Sequence, residues 1–168
     1  GTVVEYLIKE HGFKHYSVRK YLTEIIKNRG LPVNRDSMVE VANGLRNKYG
    51  ASHMAEALYA KAEKDKSNCI IESIRTPGEI DALKSKGAFF LLAVDADPKV
   101  RYRRIQERKS ATDMVSFEEF LADEQREMES NDPNKQNLSA CISRADFTIQ
   151  NNSSFQELHQ KIKEVLDA

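Results

Sequence analysis

Arginines offer the clearest chemistry in this sequence. Arg101, Arg104 and Arg108 recur three and four residues apart, which puts them on one side of a helix, with Arg103 on another side. Arg75 follows Glu72-Ser73-Ile74 at the end of a short β-branched run, the end of a strand at which open α/β sheets hold their ligands. A guanidinium is a planar fork that grips phosphate through two parallel hydrogen bonds, so the chemistry on offer is phosphate binding. The plainer alternative for the helical set is a solvated face paired with the acids between Glu118 and Glu129. For Arg75 it is a surface ion pair.

Composition narrows the classes. The 168 residues suit one domain with a real core, and Lys+Arg and Asp+Glu are both 26, a net charge of +0. A general nucleic-acid or membrane-surface binder carries a basic excess, so neither partner is expected. The longest apolar run, Ala88 to Val94, is far too short to span a bilayer. Cys69 and Cys141 lie far apart without a partner motif and read as reduced core thiols of a cytoplasmic protein. The histidines His11, His15, His53 and His159 keep no metal-ligand spacing, which argues against zinc.

The elements that must position the arginines are legible from caps and periodicity. Val3, Val4, Leu7 and Ile8 form one face of a short helix that Gly12 closes. Val18, Tyr21, Leu22, Ile25 and Ile26 keep helical spacing up to Gly30. Ser37-Met38-Val39-Glu40 has the form of a capping box opening a helix through Leu45 to Gly50, and Ser52 can cap another to about Lys64. Thr76-Pro77-Gly78-Glu79 combines a cap, a proline at the first helical position and a glutamate that reaches back. Asp97-Pro98, Ser116 and Ser154 open the remaining helices, while Ser130 to Asn137 reads as loop. Cys69 to Ile74 and Ala88 to Val94 read as strands, the second apolar throughout as if covered on both faces; Phe13 to Tyr16 and Phe147 to Gln150 are weaker. Strands alternating with helices predict a parallel sheet with helices on both sides.

A set of segments then resembles, in order, a family of adenylate kinase-related, dephospho-CoA kinase-like P-loop nucleotide kinases. Gly1-Thr2 before a helix looks like the tail of a phosphate loop. "GLPVNRDSMVEVANGLRNKYG", "IIESIRTPGEIDAL", "FFLLAVDADPKVRYRRIQER", "DMVSFEEFLADEQRE" and "ADFTIQNNSSFQEL" follow in the family's sequence. The resemblance covers nearly the whole chain. It implies a single domain over 1–168, an α/β three-layer P-loop NTPase of the nucleoside monophosphate kinase-like type. Its acceptor-binding helical insertion would lie at about 31–65 and its lid at about 101–137. It implies ATP and Mg2+ as cofactors, nucleotides as substrates, and either a homodimer or a fusion to a nucleotide-metabolism domain. Relatives of this domain joined to deoxycytidylate deaminases suggest a non-catalytic nucleotide sensor as the rival function.

The same resemblance assigns roles to positions. Gly1 and Thr2 would contact nucleotide phosphate, and Asn151, with Asn152 and Ser153 beside it, would border the adenine. Arg75 would grip the acceptor's phosphate and Glu72, in the place of the family's aspartate, would help order Mg2+ through water. Arg104 and Arg108 would meet the charge of the transferring phosphoryl group, with Arg104 also touching ATP and Asp113 orienting one of the lid arginines; Arg101 stays undecided. Arg46 and Asn43, with Arg35, Ser17 and Arg19 nearby, would line the acceptor pocket, and Lys20 stands where the family has an aspartate. The opening helix has nothing feeding it, so an apolar central strand and a glycine-rich loop ending in lysine are expected directly before Gly1. Reading the upstream codons checks this; a start codon there, or unrelated sequence, would overturn it.

Overall fold

The computed structural model describes residues 2–108 and 115–168; Gly1 and Asp113 lie outside them. Four parallel strands form two pairs. β1 (Lys14–Ser17) pairs with β2 (Cys69–Glu72), with Lys14 opposite Cys69, and β3 (Leu92–Asp95) pairs with β4 (Phe147–Gln150), with Leu92 opposite Phe147. No described strand joins the pairs, and a cavity of about 1140 Å3 lies between them, lined by β2 on one side and β3 on the other. This is an α/β arrangement of parallel strands and helices.

Period-two alternation along β2 makes the layers. Ile70 packs with α1 (Thr2–His11) and α9 (Phe155–Leu166) through Leu7, Leu158 and Ile162, which also cover Leu92 and Ile149 of the other pair. Ile71 packs the opposite way. There Val18, Leu22 and Ile26 of α2 (Val18–Asn28), Val41, Ala42 and Leu45 of α3 (Arg35–Tyr49), and Met54 and Leu58 of α4 (His53–Asp65) form the larger core. The helix layer of α1 and α9 therefore ties the two strand pairs together.

Most caps act as the sequence predicts. Ser17, Ser116 and Ser154 accept from the third helical amide of α2, α7 (Phe117–Met128) and α9. Thr76 and Glu79 complete the capping box of α5 (Pro77–Ser85). Three expectations are corrected. Ser52 makes no cap bond to α4; its hydroxyl donates instead to the Glu56 carboxylate at 2.7 Å. The Ser37–Glu40 box is unused: Asn34, extended at φ −147°, accepts from the Ser37 amide at 2.8 Å, so α3 begins at Arg35 and Ser37 is buried inside its first turn. The strand expected over Ala88 to Val94 is paired only from Leu92, because the Leu91 amide is taken by the Asp146 carboxylate at 2.7 Å and its carbonyl closes the turn before β4. Phe90 and Val94 are exposed and line the cavity between the pairs, so this run is not covered on both faces. A short helix that the sequence did not announce, α8 (Leu138–Ser143), is capped by Asn137 and buries Cys141. Cys69 and Cys141 are free thiols.

The start of α5 is held more tightly than its length suggests. Thr76 is fully buried, and its hydroxyl lies 2.9 Å from Glu79 Oε1 and 3.3 Å from the Ala51 carbonyl. A Cβ at Gly78 would come 2.9 Å from the Ala51 Cβ, so only glycine lets this turn approach Ala51, two residues before α4. Thr76→Val keeps the shape but removes the cap, and is expected to lower unfolding stability by about 1–2 kcal/mol. A chemical-denaturation midpoint shifted down with an unchanged slope would verify it; an unshifted midpoint would count against the cap.

Candidate phosphate-binding site

The backbone turns sharply where β2 ends. Ser73 sits at φ 75°, a left-handed conformation that costs a non-glycine residue about 1 kcal/mol or more, and such strain is typical of functional turns. Beyond it Arg75 is fixed from both sides. Its amide donates to Glu79 Oε1 at 3.1 Å, and its carbonyl accepts from the Asn137 amide at 2.8 Å. Glu79, fully buried at the first turn of α5, thus sets the direction in which the Arg75 side chain leaves the turn.

That direction leads to other arginines. Arg75 Nη1 donates to Glu127 Oε2 at 3.0 Å and to Gln136 Oε1 at 3.2 Å. Arg35, at the first position of α3, donates to both oxygens of the same carboxylate, at 2.8 and 2.9 Å. Arg46, two turns or more along α3, is 1% exposed; its Nη1 donates to Asn43 Oδ1 at 3.3 Å and its Nε has no partner. Arg19, Arg35, Arg46, Arg75 and Arg108 line one cavity of about 190 Å3, in which Glu127 is the single carboxylate among the described lining residues. Gathered arginines with a buried, unpartnered N–H are what an anion site requires.

The electrostatics follow from burial. Burial pushes the Arg46 guanidinium below its ordinary value, Glu79 works against that, and the nearby Arg75 charge adds to it. Burial raises the Glu79 carboxyl above the ordinary glutamate range, although the Arg46 charge and hydrogen bonds from Arg75 and Thr76 oppose it. Burial, with the Glu79 charge, also pushes the Cys141 thiol up to about 11. Glu127 ends on the other side. Burial favours its neutral form, but the hydrogen bond from Arg35 and the charges of Arg75, Arg35 and Arg126 outweigh burial and hold it below the usual glutamate range.

The other sequence-predicted residues distribute around this core. Thr2, Glu72, Arg75, Arg101, Arg108 and Asn151 share the wall of the larger cavity between the strand pairs. Glu72 Oε2 accepts from His15 Nε2 at 2.7 Å across the β1–β2 pair. Arg104 Nη1 donates to the Asn151 carbonyl at 2.7 Å, so these two predicted ATP contacts meet each other. Arg101 pairs with Glu124 of α7 at 2.5 Å, while its Nε is buried without a partner. Arg103 is exposed. Asn152 Oδ1 caps the Asp97 amide at 2.7 Å, Ser153 is exposed, and Ser17 and Lys20 meet in the α2 cap. Sequence reasoning missed Glu127 and Gln136; one was hidden among the acids of α7 and the other in a segment read as loop. Among the described residues no group of three or more His, Cys, Asp or Glu side chains is placed to hold a metal ion, and no helix is long and apolar enough to cross a membrane.

A model of the AAA domain family matches residues 1–121. A UPF0200 protein of Pyrobaculum aerophilum is 31% identical over 167 residues, covering 98% of this chain and 89% of its own length. The chain is an AAA-domain member of the UPF0200 family. A second UPF0200 protein, from Pyrococcus horikoshii, is 26% identical over 164 residues, 94% of this chain and 85% of that one. The UPF0200 chain also resembles the unliganded crystal structure of a sugar kinase from a Janibacter species, with TM-score 0.52 and 17% identity over 99% of this chain and 86% of the other. That likeness concerns the fold. The UPF0200 chain thus has a P-loop kinase-like fold with an arginine-lined site at the C-terminal end of β2.

The Glu127 cluster yields a pH dependence. A carboxylate whose folded value is depressed contributes stability that is present above the ordinary glutamate pKa, about 4.3, and is lost as pH falls through the folded value. Glu127→Gln is therefore expected to melt below wild type at neutral pH, with the gap shrinking in acid. Thermal melts from neutral pH down to about pH 3 check this; a gap that stays constant would refute it.

Proposed function

We propose that this protein is an ATP-dependent nucleotide kinase that moves the γ-phosphoryl group of ATP to a nucleoside monophosphate or a dephospho-CoA-like acceptor. The observation that carries the reading is the convergence of Arg35, Arg46 and Arg75, from two separate elements, on one cavity at a strand's C-terminal end. Open α/β sheets bind ligands at that end, and three guanidinium groups around about 190 Å3 suit the phosphate of an acceptor. In this reading the insertion at about 31–65 supplies Arg46, Asn43 and Arg35 to the acceptor.

ATP's phosphates lie at the N-terminus of α1 at Thr2, where aligned amides and the helix dipole favour anions. Asn151 borders its base and Arg104 braces the Asn151 carbonyl. Arg108 lines the smaller cavity together with the acceptor-side arginines, where a cation offsets charge that develops during transfer. Mg2+ carried on the nucleotide's phosphates, with Glu72 reaching it through water, supplies further charge neutralisation when bound. The region at about 101–137 acts as the lid. A cytoplasmic location fits the free thiols.

One observation favours the rival reading, a nucleotide sensor without turnover: Glu72 is engaged by His15 at 2.7 Å. The two are separated by product analysis of the full-length protein with ATP-Mg, a panel of nucleoside monophosphates and dephospho-CoA. Acceptor-dependent ADP is expected; tight nucleotide binding with no product across the panel would select the sensor. Arg75→Ala should weaken acceptor binding by about 1.5–3 kcal/mol and leave ATP binding nearly unchanged. Calorimetry with each nucleotide alone would decide, and equal losses for both would refute the assignment.

A further inference from the structure

Glu127 occupies the place where an anionic ligand would make its best contacts. Its two oxygens take three hydrogen bonds of 2.8, 2.9 and 3.0 Å from Arg35 and Arg75, the forked contact that a phosphate forms with guanidinium groups. The carboxylate borders the cavity of about 190 Å3 that Arg46 also lines, and the Nε of Arg46 is buried without a partner. A purely structural brace would sit in a closed core; this one borders a cavity lined by Arg35, Arg46 and Arg75.

The helix that carries Glu127 is attached mainly by charge. Phe120 is the buried apolar anchor of α7 and packs with Tyr102 and Phe117. Ion pairs add further ties: Glu124 with Arg101 at 2.5 Å, Arg126 with Asp36 at 3.0 Å, and Asp123 with Arg35 at 4.0 Å. Partly exposed pairs of this kind hold weakly, so the last turn of α7 can leave without breaking a core.

Resting on the acceptor site proposed above, we infer that the Glu127 carboxylate is a built-in occupant of the acceptor's anion seat between Arg35 and Arg75, which a phosphate monoester must displace. Glu127 thereby determines specificity. A singly charged or neutral ligand gains too little to evict a carboxylate held by two arginines, whereas a phosphate dianion brings more charge and a third oxygen for Arg46.

Calorimetry on full-length wild type, Glu127→Gln and Arg75→Ala tests this, with inorganic phosphate, nucleoside monophosphates and the matching nucleosides as probes. Glu127→Gln is expected to bind the phosphate-bearing probes at least about fivefold tighter than wild type, since removing a competing internal state removes its penalty, and to bind nucleosides unchanged. In wild type, hydrogen exchange at the C-terminal turn of α7 should speed up when a nucleoside monophosphate is added. Equal or weaker binding by Glu127→Gln, or protection of α7 by ligand, would overturn the inference and leave Glu127 as a brace that orients the arginines. Should Glu127→Gln fail to fold, the exchange measurement on wild type decides alone. If Arg75→Ala binds the phosphate-bearing probes as well as wild type does, the acceptor site itself is wrong, and if no probe binds to any variant, site and inference fall together.

Discussion

Several guanidinium groups cannot be packed side by side unless anions are packed with them. Arg46 is almost completely removed from water, and Arg35 and Arg75 are partly so. Burying a charge is costly, and like charges nearby add to the cost. The structure answers with two carboxylates of different kinds. Glu79 is spent mainly on the backbone of Arg75 and Thr76, and faces Arg46 only through its field. Glu127 is spent on side chains, closing Arg35 and Arg75 onto one another. Both glutamates sit at helix ends, Glu79 in the first turn of α5 and Glu127 in the last turn of α7. At the second of these positions an acid opposes the helix dipole, so the arginines, rather than the helix, account for the charge being there.

The rest of the fold can be understood as a support for that cluster. β2 delivers the chain to the strained turn at Ser73, the capping box holds α5, and the Asn137 amide locks the Arg75 carbonyl from the far side. α3 supplies Arg35 and Arg46 from positions eleven residues apart, about three turns, which is why both reach one cavity from the same helix face. The larger core of α2, α3 and α4 fixes that helix against β1 and β2. By contrast α6 (Pro98–Arg108) buries no residue and α7 buries only Phe120 and Glu127, so this part of the site stands on charge pairs. A well-packed α3 side and a charge-paired α6–α7 side are thus consequences of where the apolar residues are.

What could be seen in the sequence was whatever depends on neighbours in the chain. The Thr76–Glu79 box, the serine caps of α7 and α9 and the strand over Phe147 to Gln150 are local, and the structure has them as expected. The place of Arg75 followed from its position after a strand. The false cap at Ser37 shows the limit of local patterns: Asn34, three residues earlier, makes the same kind of bond and wins because the helix then gains a further turn. The overlong strand at Ala88 to Val94 shows another limit, since a strand lasts only as far as its partner's ladder and Asp146 ends that ladder at Leu91.

Glu127 was beyond such reading because its meaning lies in contacts 92 and 52 residues away. In sequence it is one of several acids on an amphipathic helix, and nothing in its neighbours distinguishes it from Glu124 or Asp123. The three differ in what they face: Glu124 takes Arg101 near solvent, Asp123 stands at the rim, and Glu127 reaches inward to 5% exposure. An acidic face at the surface and a buried anion held between two arginines thus arise from one stretch of charge, according to the helical phase at which it meets α3. A half-turn shift of α7 would remove Glu127 from Arg35 and Arg75 while leaving the charge pattern of the sequence intact.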